Sequence, residues 1–203
     1  MIEVHGQSTS GNCWKVAQIL RSTGQPFRWV EVDAMAGGTR TAVFLALSPF
    51  GKVPVAVLDD GTVLRESNAI LLHFGEGTPW LPAPGLARTR VVEWLFFEQY
   101  SHEPYVAVAR SLMLWRGERD PSRLQPLWDR GNAALAAMER RLTAHDWLTD
   151  AGPTVADLAL FAYTHRAGEG GFTLADHPGV EAWVRRVTAL PGVATMPPVQ
   201  SPP

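Results

Sequence analysis

The residues best placed for chemistry lie between positions 8 and 15, where a short strand-like run gives way to a helical pattern. Ser10, Asn12 and Cys13 bring a hydroxyl, an amide and a thiol to this turn. The first turn of a helix leaves backbone N–H groups without intrahelical partners and carries the positive end of the helix dipole. A hydroxyl here can cap the helix or donate a hydrogen bond to a bound anion, and the local sequence leaves both roles of Ser10 open.

Two further segments place polar side chains beside backbone features that favour ligands. In segment 51–55 (GKVPV), Pro54 lies in a strand-like run, where it removes a ladder donor and so indicates an edge strand or a cis peptide bond. In segment 65–70, Glu66 and Ser67 stand at a predicted helix start, where free N–H groups attract anions. An edge-strand proline and a helix cap are the ordinary alternatives for these two segments.

Composition narrows the class of protein. The chain has 203 residues, 46% of them hydrophobic and 19% charged, with a formal net charge of −2. These values fit a folded chain with a substantial core, and they predict neither a nucleic-acid nor a membrane-surface partner. A single cysteine excludes an internal disulfide and fits a reducing compartment. Residues 1–5 lack the features of a signal peptide, and the six histidines show no metal-ligand spacing. We therefore expect a cytoplasmic protein with no metal site.

Up to about residue 75, strand-like and helical runs alternate. The pattern predicts strands over 2–4, 27–32, 55–58 and 62–64, and helices over 12–22, 39–47 and 67–74. The run 27–32 alternates and is rich in aromatic and β-branched residues, and Asp59-Asp60-Gly61 predicts a hairpin turn. The predicted order is therefore βαβ, α, ββ, α.

Residues 76–85 contain three prolines and two glycines, a composition typical of a linker. The chain beyond it has helical periodicity, and one long helical pattern covers residues 88 to 115. Because Pro104 lies inside that pattern, we expect a kink near Glu103. Further on, Thr154 and Asp157 precede an apolar run with the spacing of a capping box, which indicates a structural role.

Segments 8–15, 51–55 and 65–70, in this order and at these distances, resemble the glutathione-binding motifs of the cytosolic glutathione S-transferases. The N-terminal motif is similar to that of bacterial, Ser-type or theta-like members, and the resemblance extends over essentially the whole chain. It implies an α/β thioredoxin-like N-terminal domain followed by an all-α helical-bundle C-terminal domain. We place the first domain at residues 1–76, a linker at 77–86 and the helical domain at 87–203.

The resemblance implies that glutathione is the co-substrate. Its thiolate would attack a small hydrophobic electrophile or reduce a hydroperoxide. A free thiol has a pKa of about 8.5, so lowering it by ~2 units requires about 2.7 kcal/mol of stabilisation of the thiolate. In Ser-type members the catalytic serine begins a Ser-x-x-Cys motif, and residues 10–13 have that spacing. Ser10 would thus donate to the thiolate.

Two neighbours of Ser10 offer alternatives. Asn12 stands where proline often occurs, and in some bacterial members an asparagine or threonine of this loop is the active group. Redox members of the thioredoxin superfamily carry Cys-x-x-Cys at this bend, whereas here only Cys13 is a cysteine. We therefore expect Cys13 to be a small packed residue rather than part of a dithiol pair.

The other two motifs imply the glutathione-binding residues. The Val53-Pro54 bond resembles the cis-proline site, where the residue before proline pairs with the cysteinyl part of glutathione. Glu66 and Ser67 resemble the pair that holds the γ-glutamyl end. Lys52 is either a partner of the glycyl carboxylate or a solvated surface charge.

On the long helix, Tyr100, Tyr105, Arg110 and Met113 are candidates for the electrophile pocket, although helical spacing alone does not separate pocket from core. The resemblance further implies a homodimer in which each N-terminal domain packs on the partner's helical domain. Two other functions remain open. One is a non-catalytic transferase-like binding or interaction protein, and the other is a glutathione-dependent thiol-disulfide oxidoreductase.

Overall fold

The computed structural model describes residues 1–197 and 199. A four-stranded sheet and three helices form the first part of the chain: β1 (Ile2–Gly6), α1 (Gly11–Ser22), β2 (Phe27–Glu31), α2 (Ala42–Leu47), β3 (Val55–Val57), β4 (Val63–Arg65) and α3 (Ser67–Gly75). The strand order is β2-β1-β3-β4, with β1 parallel to β2 and β3 antiparallel to both of its neighbours. This is the predicted succession of elements.

The sheet buries both of its faces because successive side chains of a strand point to opposite sides. Ala56 packs with residues of β1, α1 and α3 on one face, and the adjacent Val55 packs with Val32 and with Phe44 of α2 on the other. Helices α1 and α3 therefore cover one face and α2 the other. This arrangement brings the first turns of α1 and α3 to the same side of the molecule.

The second part of the chain is helical: α4 (Leu86–Phe97), α5 (Glu103–Trp115), α6 (Pro121–Leu142), α7 (Val155–Thr164) and α8 (Pro178–Thr188). Its hydrophobic core continues into the first part, since Trp14 and Ile19 of α1 and Leu71 of α3 belong to the same cluster of buried residues. Of the helices that the structure describes, none combines the length and apolar character that crossing a membrane requires.

A π-helical turn at Glu98–His102 separates α4 from α5. The N–H of Glu103 donates to the carbonyl of Glu98, five residues earlier, and Pro104 lies in the first turn of α5. At the position where a kink is expected, near Glu103, the structure has a π-helical turn, which holds one residue more than an α-helical turn. One extra residue rotates everything that follows by about 100° around the helix axis.

Helix α7 is the centre of the helical part, since every one of its residues is buried. The predicted capping box is present at its start. The Asp157 carboxylate accepts from Thr154 N at 2.9 Å and from Trp183 Nε1 at 2.9 Å. Burial raises the pKa of the Asp157 carboxyl. The hydrogen bonds from Thr154 N and Trp183 Nε1 hold this side chain between α7 and α8. The box therefore fixes the position of α7.

Candidate functional site

A cavity of about 250 Å³, the polar cavity, opens where α1, the β3 entry and α3 meet the helical part. It is lined by Asn12, Ser48, Phe50, Lys52, Val53, Pro54, Arg65, Glu66, Ser67, Gln99 and Glu103. The structure therefore brings together six of the seven residues predicted for catalysis and glutathione binding.

The Val53–Pro54 peptide bond is cis, as the sequence predicts. Ser48 fixes the loop before it from both sides, because its Oγ donates to the Lys52 carbonyl at 2.9 Å and accepts from Lys52 N at 3.2 Å. The backbone of Val53 is thereby held at the wall of the polar cavity, while the Lys52 side chain is exposed.

Glu66 and Ser67 form the start of α3. Glu66 has φ of 64°, a left-handed conformation that residues other than glycine seldom adopt and that occurs often at functional sites. The Glu66 side chain is exposed, whereas Ser67 is buried and its Oγ donates to Asn12 Oδ1 at 3.2 Å. The first turns of α1 and α3 are thus joined by a direct side-chain hydrogen bond.

A buried ion pair lies behind this contact. Lys15 Nζ is 2.7 Å from Glu98 Oε1, and both side chains are fully buried. Lys15 also lies 3.5 Å from Ser67 Oγ and 3.4 Å from Asn68 Oδ1, and Asn68 Nδ2 donates to Glu98 Oε2 at 2.8 Å. Sequence reasoning missed both charged residues. The available signal was a lysine inside the apolar run of α1.

A second cavity of about 280 Å³, the apolar cavity, lies next to the polar cavity. Its lining residues are Gln7, Ser10, Ala34, Met35, Val53, Glu103, Ala107, Val108, Arg110, Ser111, Trp115 and Tyr163. Val53 and Glu103 line both cavities and form the wall between them. A group attached to a ligand in the polar cavity can therefore face the apolar one.

Ser10 and Asn12 lie on the two sides of this wall. Ser10 is the N-cap of α1, and its Oγ accepts from Cys13 N at 3.4 Å while lining the apolar cavity. Asn12 lines the polar cavity and donates from Nδ2 to Glu103 Oε1 at 3.2 Å. Accepting the cap hydrogen bond leaves the Ser10 hydroxyl proton free to donate, so capping and donation to an anion are compatible.

Cys13 is fully buried, and Gln7 N donates to its Sγ at 3.4 Å. Burial raises the pKa of this thiol to about 11, against the opposing effect of the hydrogen bond with Ser10. Cys13 is accordingly a packed thiol and not a thiolate near neutral pH.

Glu103 and Tyr163 are two further cavity residues that sequence reasoning did not select. Burial raises the pKa of the Glu103 carboxyl, and the charge of Glu98 adds to the effect. Tyr163, from the end of α7, accepts a hydrogen bond on its hydroxyl from Asn12 N at 3.3 Å. No sequence signal distinguishes Tyr163, because this residue closes an apolar helical run that is typical of a core.

The four residues predicted for the electrophile pocket are divided. Arg110 lines the apolar cavity, but its head group is buried and donates to Glu169 Oε2 at 2.6 Å and to the Thr9 carbonyl at 3.1 Å. Tyr100 and Tyr105 instead line a separate cleft with Arg130. Met113 lines none of the cavities described above.

Helix phase explains this division of the four residues. Glu103, Ala107 and Ser111 repeat every four residues and form the stripe of α5 that faces the apolar cavity. Tyr105 and Met113, which are eight residues apart, share a different side of the helix. The π-helical turn before α5 shifts the phase of α5 relative to α4, and a continuous helix read from the sequence does not contain that shift.

Comparisons with known proteins agree with this architecture. Residues 9–76 match the family model described as glutathione S-transferase, N-terminal domain, and residues 106–186 match that of the glutathione S-transferase C-terminal domain. The chain is similar to a crystal structure of a glutathione S-transferase from Xanthobacter autotrophicus, with 63% identity, a TM-score of 0.94 and 98% of each chain covered. It is also similar to a glutathione S-transferase structure from Pseudomonas fluorescens, with 46% identity, a TM-score of 0.93 and 96% and 98% of the two chains covered.

A relative from Zea mays, glutathione S-transferase 3, is 30% identical over 202 residues, which covers 94% of this chain and 90% of that protein. The fold, the paired domain models and the similarity over nearly the full length agree with one another. The chain belongs to the glutathione S-transferase family.

Proposed function

We propose that this protein binds glutathione in the polar cavity and uses its thiolate to attack a small hydrophobic electrophile, or a hydroperoxide, in the apolar cavity. One observation carries the proposal. The polar residues of three separate sequence motifs line a single cavity, and that cavity shares Val53 and Glu103 with an apolar one.

The charges of the polar cavity complement those of glutathione, which has two carboxylates and one ammonium group near neutral pH. Glu66 offers a carboxylate to the ammonium group. Ser67 lies at the start of α3, where the hydroxyl and the helix N-terminus favour the γ-glutamyl carboxylate. Lys52, at the other end of the cavity wall, is available for the glycyl carboxylate.

The cysteinyl part of glutathione then pairs with the backbone of Val53. This places the sulfur at the wall between the two cavities, near the first turn of α1. Ser10 donates to the thiolate there, and the positive end of the helix dipole adds to the stabilisation. Asn12 orients the γ-glutamyl side through Ser67 and is the alternative donor.

Thiol-disulfide exchange through an enzyme cysteine receives no support, because Cys13 is buried and its pKa is raised to about 11. A cytoplasmic location fits this single reduced thiol. Two alternatives stay open, a protein that binds glutathione without turnover and a glutathione-dependent thiol-disulfide oxidoreductase that uses no cysteine of its own. Kinetic measurements with electrophile and disulfide substrates distinguish both from a transferase.

The test uses purified protein, glutathione and an activated aryl halide. We expect calorimetry to detect glutathione binding and the conjugation rate to rise above the uncatalysed rate. Binding without any acceleration over a panel of electrophiles and hydroperoxides would favour the non-catalytic alternative. Absence of binding would refute the proposal.

We also propose a homodimer in which the N-terminal domain of one copy packs on the helical domain of the other. Phe50 is 75% exposed, Phe96 71% and Tyr100 82%, which leaves large apolar side chains uncovered on both parts of the chain. Trp94 and Phe97, by contrast, pack edge to face at 5.2 Å against the core. Light scattering at micromolar concentration should give twice the chain mass, and a monomer would refute this arrangement.

A further inference from the structure

We propose that Tyr163 supplies a second hydrogen-bond donor to the thiolate of glutathione, from the helical part of the chain. This inference rests on the proposed function, since it concerns the same thiol. Tyr163 lies on α7, 151 residues after Asn12, and belongs to none of the three N-terminal motifs.

The Tyr163 ring lies directly against the first residue of α1. A Cβ atom placed on Gly11 would approach the Tyr163 ring carbons to 2.7 Å, closer than real contacts allow. Glycine at position 11 is therefore what permits the ring to reach this turn. The contact brings the phenol to the end of the helix where a bound anion is stabilised.

The hydrogen bonding of the Tyr163 hydroxyl leaves its proton available. Asn12 N donates to Tyr163 Oη at 3.3 Å, so the oxygen already serves as an acceptor toward the backbone. A phenol has one proton to donate. Tyr163 and Ser10 both line the apolar cavity, and their hydroxyls also interact with each other, which lowers the pKa of Tyr163 against the larger effect of burial. A thiolate bound beside this pair would accept from both O–H groups.

The electrostatics keep this phenol a donor. Burial raises the pKa of Tyr163, and the carboxylate of Glu103 raises it further. Tyr163 consequently stays protonated across the pH range in which the thiol ionises. It can stabilise the thiolate, but it cannot accept the thiol proton.

Tyr163→Phe tests the inference because it removes the hydroxyl and keeps the ring against Gly11. Tyr105→Phe is the matched control, since that hydroxyl lies in the separate cleft beside Arg130. For each protein, the ultraviolet absorbance of the bound thiolate is titrated with pH, and the glutathione Kd is measured by calorimetry at a pH where the thiol stays protonated. Thermal unfolding confirms that both variants are folded.

We expect Tyr163→Phe to raise the pKa of the bound thiol by about one unit, the scale of one hydrogen bond to an anion. That shift corresponds to roughly a tenfold loss of thiolate well below the pKa. The Kd for the protonated thiol should change little, and Tyr105→Phe should match the wild type.

An unchanged thiol pKa in Tyr163→Phe, with glutathione still bound, would overturn the inference and leave the proposed function intact. A weaker Kd without a pKa shift would also overturn it, by showing that Tyr163 only positions Asn12. Failure of the wild-type protein to bind glutathione would reject both proposals. As a further check, Ser10→Ala combined with Tyr163→Phe should raise the thiol pKa more than either change alone.

Discussion

The polar and apolar cavities share a wall but differ in how the chain builds them. The polar cavity draws most of its lining from three short segments, each at a turn or a helix start: the first turn of α1, the loop around the cis peptide bond and the start of α3. The apolar cavity combines side chains from two N-terminal loops, from Val53, from successive turns of α5 and from the end of α7. A binding site assembled at element ends is therefore recognisable in the sequence, whereas a pocket assembled from helix interiors depends on helix phase.

The largest expected effect concerns the ion pair behind the polar cavity. Lys15→Met leaves Glu98 fully buried without its cation, and breaking such a pair typically costs about 3–5 kcal/mol of folding free energy. Urea unfolding should show a loss of this size. The double variant Lys15→Met with Glu98→Gln should recover much of it, and a single-variant loss under about 1 kcal/mol would contradict this account of the network.

The next effect concerns the wall between the cavities. Ser10→Ala removes the proposed hydrogen bond to the thiolate, worth roughly 1.5–3 kcal/mol. The value of kcat at neutral pH should therefore fall at least tenfold, by the conversion of ~1.4 kcal/mol per factor of ten. Glutathione affinity should change little.

Two neighbouring variants sharpen that result. Cys13→Ser should keep most of the turnover, because Cys13 is buried and only packs. A shift of the pH–rate profile in Asn12→Ala but not in Ser10→Ala would assign thiolate stabilisation to Asn12. Loss of activity in Cys13→Ser alone would instead indicate cysteine chemistry.

A pair of variants separates the two cavities directly. Glu66→Ala removes the proposed contact with the γ-glutamyl end, far from the sulfur, so it should raise the KM for glutathione several-fold and leave kcat nearly unchanged. Ala107→Leu, on the stripe of α5 that faces the apolar cavity, should raise the KM for the electrophile instead. If both variants change the same KM, the two cavities do not hold different substrates.

The smallest effect concerns Glu103, which lines both cavities. Its pKa is raised in the folded protein, by burial first and then by Glu98, so its contribution to stability is present at low pH and is lost as the pH rises through the folded pKa. Glu103→Gln removes this ionisation and should raise the melting temperature at pH 7 but not at pH 4. The same change at both pH values would show that Glu103 does not ionise in this environment.

The contrast between the polar and the apolar cavity also applies to what the sequence could predict. The element order of the first part and the capping box at Thr154 follow from local patterns that do not depend on distant parts of the chain. The cis bond before Pro54 is one of two local alternatives, and the family resemblance selects it. Ser10 and Asn12 were both predicted, but only the structure shows that they face different cavities.

The rest depended on information that no local pattern contains. The π-helical turn at Glu98–His102 interrupts the α-helical register before α5, and Tyr105 lies in a separate cleft beside Arg130. Tyr163 looks like a core residue in the sequence, and its proposed role depends on a close approach to Gly11 that links positions 152 residues apart in the chain. Lys15 was overlooked for a similar reason, since its partner Glu98 lies 83 residues away.

The most direct test of the account is the pKa of the glutathione thiol bound to the wild-type protein, obtained by titrating the thiolate absorbance with pH. We predict a pKa about one to two units below the value of ~8.5 for a free thiol, because in the proposed binding mode the sulfur lies among Ser10, Tyr163 and the first turn of α1. Glutathione that binds with an unshifted thiol pKa would contradict it.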